Sequence, residues 1–236
     1  MKKILIIIPA YNEEKSLVNV VKSIKSLKSK KYKIDYVIIN DGSTDNTKNV
    51  CIENNLNFID LPFNLGIGGA VQTGYKYACY RDYDIAIQFD GDGQHDAAYI
   101  EKLADSIKNY NLVIGSRFVE NESEFKSTVM RRLGIKFLSN LIYLCVGQKV
   151  YDVTSGFRAA DKNIINYFAS NYPSDYPEPD SLVQIIKKGY KVGEISVKMN
   201  ERKEGKSSIS KFKSIYYMIK VSFSIIISNI STKREI

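Results

Sequence analysis

The chain opens with an unbroken apolar run from Ile4 to Ile8 that stops at Pro9, and a second run rich in β-branched and aromatic residues follows at 34–39. Between them Leu17, Val20, Val21, Ile24 and Leu27 recur at helical spacing, so the opening reads as strand, helix, strand. The alternation continues with a helix near 45–54, a strand near 56–60, a helix from Gly68 to Tyr80, a strand at Ile85–Phe89, a helix near 97–109 and a strand at Leu112–Ile114. This pattern predicts an α/β fold, a mostly parallel sheet flanked by helices on both faces. After about residue 125 the order changes to a helical pattern over 127–146, an irregular stretch to about 180, a helix near 180–188 and an alternating strand from Val192 to Met199.

Open sheets of this kind bind ligands at the carboxyl ends of their strands. Three polar clusters fall there: Pro9 to Glu14 after the first strand, Asn40 to Asp45 after the second, and Asp90 to Asp96 after the strand ending at Phe89. They should converge on one edge.

Composition narrows the picture. The chain has 236 residues, 44% apolar and 25% charged, enough for one core and one site, with no biased tract. A net charge of +8 suits an anionic partner, but no nucleic-acid motif accompanies it, so no nucleic acid is expected. Cys51, Cys79 and Cys145 are odd in number and form no CxxC pair, as befits buried thiols in a reducing cytosol. The apolar start is too short for a signal peptide. Residues 1–208 read as one catalytic domain and 209–236 as a C-terminal amphipathic tail. That tail carries Lys211, Lys213 and Lys220 and suits a membrane interface or packing on the domain better than spanning.

Asp90 and Asp92 flank Gly91 just past a strand, so two carboxylates can reach a hard cation while the glycine lets the backbone bend. A turn in which the aspartates bond their own backbone is an equal reading. Asp41 could accept the ring N–H of a nucleotide base, and Ser43, Thr44 or Asp45 could cap the following helix. Leu65 to Ala70, including Gly69, opens a helix that would offer N–H groups to a phosphate.

Taken together and in order, these residues resemble family 2 glycosyltransferases of the GT-A fold. The matching segments are Ile8 to Glu13, Asn40 to Asp45, Asn64 to Gly66 with Gly69-Ala70, Asp90 to His95, Gly115 to Arg117, Thr154 to Arg158 and Glu201 to Ser208, covering about residues 4–208. The resemblance implies that Pro9, Ala10, Tyr11 and Glu13 line a nucleotide pocket, together with Gly69, Asp90 and Gly91, and that Asp41 binds the base. It implies that Asp90 and Asp92 form the DxD motif holding Mg2+ or Mn2+ on a diphosphate. In the dolichyl-phosphate mannosyltransferase-like branch, the place of Gln94 also reaches the metal, and the places of Arg117, Arg202 and Lys206 face phosphates. Two departures stand out: Asn40 replaces a frequent aspartate, and Asp96-Ala97 replaces prolines after His95. The position of His95 suits loop positioning better than general-base work.

The implied activity is inverting transfer of a sugar from a UDP- or GDP-linked donor to a polyprenyl phosphate or other lipid-linked acceptor, in cell-surface glycan synthesis. This would take place in the cytoplasm at the inner face of the membrane. A phosphate acceptor with its second pKa at about 6 needs no base, whereas a saccharide hydroxyl does. Glu178 is then the first candidate base and Asp180 the second, against the equal reading that both simply start a helix. A sugar-nucleotide-forming enzyme would carry a glycine-rich basic loop after the first strand, which Pro9 to Glu13 is not. A non-catalytic binding module would have no need of Asp90, Asp92 and Gln94 together. Peripheral membrane contact and oligomer formation both stay open.

Overall fold

A computed structural model describes residues 1–119, 129–200 and 211–233. Seven strands form one sheet in the order β3-β2-β1-β4-β6-β5-β7. The parallel half consists of β1 (Lys2–Ala10), β2 (Tyr32–Asn40), β3 (Phe58–Asp60) and β4 (Ile85–Gln88). In the other half, β6 (Arg158–Asp161) runs antiparallel to both β4 and β5 (Leu112–Ser116), and β7 (Val192–Ser196) pairs parallel with β5.

Both faces of β1 are buried, which is why it reads as a continuous apolar run. Ile4, Ile6 and Ile8 join the layer of α1 (Leu17–Lys25), α2 (Thr47–Glu53) and α4 (Ile100–Ser106). Leu5 and Ile7 face α3 (Gly66–Tyr80) and a layer built from α5 (Val129–Val146), α6 (Lys162–Asn171), α7 (Pro177–Lys187) and α8 (Lys211–Ser231).

Two expectations are corrected. The stretch expected to be irregular up to about 180 contains β6 and α6, and the helix expected from 180 begins at Pro177. β6 escaped a periodicity reading because Arg158 interrupts its apolar pattern, and that guanidinium is buried. In the C-terminal segment, packing on the domain accounts for one side of α8: Val221 and Ile225 are fully buried in the same core as Leu182 and Ile185 of α7. Among the described residues no helix is long and apolar enough to cross a membrane.

Candidate active site

The carboxyl edge of the parallel strands collects the predicted loops. Ala10 pairs with Asn40 and Ile7 with Gln88, so β1, β2 and β4 end side by side. Pro9 and Ala10 are buried at the end of β1, Tyr11 is exposed beyond them, and Asn12 adopts φ +59°. That turn locks two loops together. Asn12 Oδ1 accepts the Thr44 N–H at 2.8 Å and the Asp45 N–H at 3.3 Å, and the Glu13 N–H reaches Thr47 Oγ1 at 2.9 Å. Asp45 Oδ1 accepts the Thr47 N–H and hydroxyl just ahead of α2, whereas the N-cap position falls on Asn46, which makes no side-chain cap bond, so the capping expected from Ser43, Thr44 or Asp45 is not found.

Asp41 is buried at the end of β2, and its Oδ1 accepts the Leu65 N–H at 2.7 Å. Burial raises its pKa, and the backbone N–H groups of Leu65 and Gly66 pull it back. Asp41 thereby ties the glycine-rich opening of α3, with Gly69 in its first turn, to the end of β2. The substitution at Asn40 has a local reason. Its amide donates to Asp60 Oδ1 at 2.6 Å while its carbonyl accepts from Ser43 Oγ, whereas an aspartate would set two carboxylates against each other.

Asp90 and Asp92 follow β4, both half-buried. Gly91 lies so close to β1 that a Cβ there would come 3.1 Å from the Pro9 carbonyl, which draws the acidic loop against the Pro9–Glu13 turn. Asp92 Oδ1 accepts the Gln94 N–H at 3.0 Å, so one carboxylate oxygen shapes the turn. His95 is buried, stacked on Phe157 at 4.6 Å, and burial pushes its pKa down to about 4. It is a neutral positioning group. The Asn200 N–H bonds the Gln94 carbonyl at 2.8 Å, and His95 pairs with Met199, so the strand leading into residues 201–210 is fastened to the acidic loop. Arg202 and Lys206 lie outside the described residues.

The metal expectation is tested by this donor set. Among the described residues no cluster of three His, Cys, Asp or Glu side chains could cage an ion. Two carboxylates with the Gln94 amide offer hard oxygen donors, too few for a closed cage, and leave positions for phosphate oxygens. That pattern fits Mg2+ or Mn2+ bound together with a diphosphate.

Beneath Asp90 lies a network whose roles motif reading did not assign. Gln88, buried at the end of β4, donates to Asp90 Oδ1 at 3.4 Å, accepts from the Tyr172 hydroxyl at 3.5 Å and hydrogen-bonds the Glu178 carboxylate. Arg158 donates to the carbonyls of Ser155, Val153 and Glu178 at 2.6, 3.0 and 2.8 Å, fixing the start of α7. Gly156 passes over the pair: a Cβ there would meet Gln88 Nε2 at 2.8 Å and both Asp90 carboxylate oxygens at 3.1 Å. The available signals were a lone glutamine closing the apolar run Ile85-Ala86-Ile87 and the matching segment Thr154 to Arg158, to which the sequence assigned no role.

Glu178 is half-buried in the first turn of α7. Burial raises its pKa, the Arg158 guanidinium and its own N–H lower it, and Asp90 raises it again. It therefore borders the Asp90 loop. Tyr176, which precedes it, holds a left-handed backbone at φ +50° and packs its ring edge-on against Tyr217 of α8 at 5.0 Å. Asp180 turns elsewhere: its carboxylate accepts from Gln184 Nε2 at 3.1 Å, Ser224 Oγ at 2.7 Å and the Ser228 hydroxyl. The second candidate base is thus a tether between α7 and α8. Arg117 grips Asp152 with two bonds of 2.7 Å and also reaches Thr154, so its visible role is to fix the loop after β5.

A mostly parallel α/β sheet with two carboxylates past β4, beside a buried carboxylate past β2, has the architecture of a GT-A glycosyltransferase. Residues 5–168 match the family model described as glycosyl transferase family 2, and the chain belongs to that family. It is 35% identical over 219 residues to a UDP-N-acetylglucosamine–dolichyl-phosphate N-acetylglucosaminyltransferase of Methanococcus voltae, covering 84% of this chain and 85% of the relative. An undecaprenyl-phosphate mannosyltransferase of Micrococcus luteus is 26% identical, with 88% of each chain covered. Among solved structures, glucosyl-3-phosphoglycerate synthase from Mycobacterium tuberculosis, in complex with Mn2+, UDP-glucose and phosphoglyceric acid, superposes with a TM-score of 0.72. That match has 15% identity and covers 97% of this chain and 80% of that one, so the likeness is one of fold.

Proposed function

We propose that this glycosyltransferase moves a sugar from a nucleotide diphosphate donor, UDP-linked by preference, to a polyprenyl phosphate, with inversion at the anomeric carbon. The observation that carries the reading is the placement of Asp90 and Asp92 past β4, in a chain whose relatives named for lipid phosphates align along most of their length.

In this account Asp41 and the Pro9–Glu13 turn seat the nucleoside. Asp90 and Asp92, with Gln94, would hold Mg2+ or Mn2+, which when bound neutralises charge developing on the leaving diphosphate. Gln88 and Gly156 fix the Asp90 carboxylate from below and above. The acceptor phosphate, ionised at neutral pH with its second pKa at about 6, attacks the anomeric carbon from the face opposite the leaving group, forming one C–O bond as the other breaks. It gives up no proton, so no base is needed. Arg202 and Lys206 remain the proposed phosphate-side cations, while Arg117, buried against Asp152, holds the loop after β5. Of the three free cysteines only Cys51 is buried, while Cys79 is exposed and Cys145 partly so, which corrects the expectation that all three are buried.

A second reading has its own support. Glu178 stands beside the Asp90 loop, where a base for a saccharide hydroxyl would be useful. Purified protein given UDP-N-acetylglucosamine, UDP-glucose or GDP-mannose with a short polyprenyl phosphate, the matching polyprenol or a free saccharide separates the two. Product on the phosphate alone supports the proposal, and product on either alcohol replaces it with the second reading.

A further inference from the structure

Helices α5 and α8 pack side by side: a Cβ on Gly134 would lie 3.2 Å from the Met218 sulfur. Each buries one stripe, Ile135, Leu138 and Ile142 on α5 and Val221 and Ile225 on α8. Each also carries a second apolar stripe that is exposed. On α8 these residues are Tyr216, Ile219, Phe223, Ile226 and Ile230, spaced three and four apart, with Phe223 61% and Ile230 78% exposed. On α5 they are Met130, Leu133, Phe137 and Leu144, the last 80% exposed. A helix apolar on both sides is ordinarily covered on both, yet among the described residues α8 is covered on one side only.

Charge says what covers the other. α5 has 18 residues and α8 has 21, and neither contains an Asp or Glu, although the chain has 26 acidic residues in all. Lys136 and Lys220 are exposed on these helices, and the Lys220 ammonium lies over the exposed Tyr216 ring, 4.9 Å from its centre. Two copies of such a face would set like charges together, whereas an anionic lipid surface matches both its apolar stripes and its cations.

We infer that the exposed stripes of α5 and α8 form a two-helix platform that seats the protein on an anionic bilayer. Because Tyr217 of α8 packs on Tyr176 at the head of α7, the platform adjoins the turn that carries Glu178. A seated protein therefore has its acceptor side next to the lipid surface. The surface itself does not rest on the lipid-phosphate reading; only its use does.

The test is cosedimentation of the full chain with phosphatidylcholine vesicles, with and without phosphatidylglycerol, together with light scattering of the free protein. Binding should require phosphatidylglycerol. It should weaken at least about tenfold in Phe223→Glu and, separately, in Leu144→Glu, the factor expected for removing one large side chain from lipid, while Ile52→Glu on the opposite layer should leave it unchanged. Circular dichroism shows that each variant folds, and transfer to a short soluble acceptor without vesicles should persist in both. Binding indifferent to phosphatidylglycerol or to both variants overturns the platform, as does a wild-type dimer that Phe223→Glu splits in the absence of vesicle binding. Vesicle binding without any transfer leaves the platform standing and removes the activity proposed above.

Discussion

The amide nitrogen of Asp90 donates to Nδ1 of His95 at 3.0 Å, and Nε2 of the same ring stands 3.5 Å from the Asp90 carboxylate. Since Nδ1 accepts, the neutral imidazole carries its proton on Nε2, facing the carboxylate it helps to orient. His95→Phe would keep the stack on Phe157 but orphan the Asp90 N–H. It should destabilise the fold by about 1–3 kcal/mol, read as a lower urea midpoint with an unchanged slope.

Gly156→Ala places a methyl group against the Asp90 carboxylate and Gln88. The expected outcome is metal-dependent activity reduced at least about tenfold, with the loss mainly in the metal concentration needed for half-maximal rate. A variant with ordinary metal response would show that Asp90 moves freely and has no fixed role.

Glu178 and Asp180 are two residues apart, yet they separate by experiment. Asp180→Ala should lower stability by about 1–3 kcal/mol by stripping partners from Gln184, Ser224 and Ser228. Glu178→Gln should leave stability level or higher, since burial already disfavours its charge. On a lipid phosphate it should retain most of its transfer activity, against the loss of about 10²–10⁴ that follows removal of a general base.

Glu194 on β7 accepts the N–H groups of Tyr151 and Asp152 at 2.7 and 2.9 Å, and burial raises its pKa above the ordinary 4.5. The native state then binds this proton more tightly than the unfolded chain does. Its contribution is full below pH 4.5 and declines as pH rises through the raised native value. Glu194→Gln should be less stable overall, because its NH2 group would face a backbone donor, and should lack that decline when urea midpoints are compared across the window.

The sequence carried the parallel half of the fold clearly, because β1, β2 and β4 are buried on both faces and their loops hold recognisable polar clusters. Asp41, Asp90 and Asp92 were legible for that reason. Gln88 was not, and Gly156 and Arg158 were legible only as part of the matching segment Thr154 to Arg158, without a role, since their roles arise from the antiparallel insertion of β6 between β4 and β5, a pairing that no local spacing announces. Glu178 and Asp180 looked interchangeable in sequence. Only the arrival of α8 on one side of α7 assigns Asp180 to packing and leaves Glu178 at the site.

The most direct test of the central claim measures radiolabelled sugar transferred to a short polyprenyl phosphate by the wild-type protein and by Asp92→Ala, each with Mn2+ or Mg2+ and with chelator. The account predicts lipid-linked product that needs both the divalent ion and Asp92. Product formed equally by the variant, or equally in chelator, would contradict it.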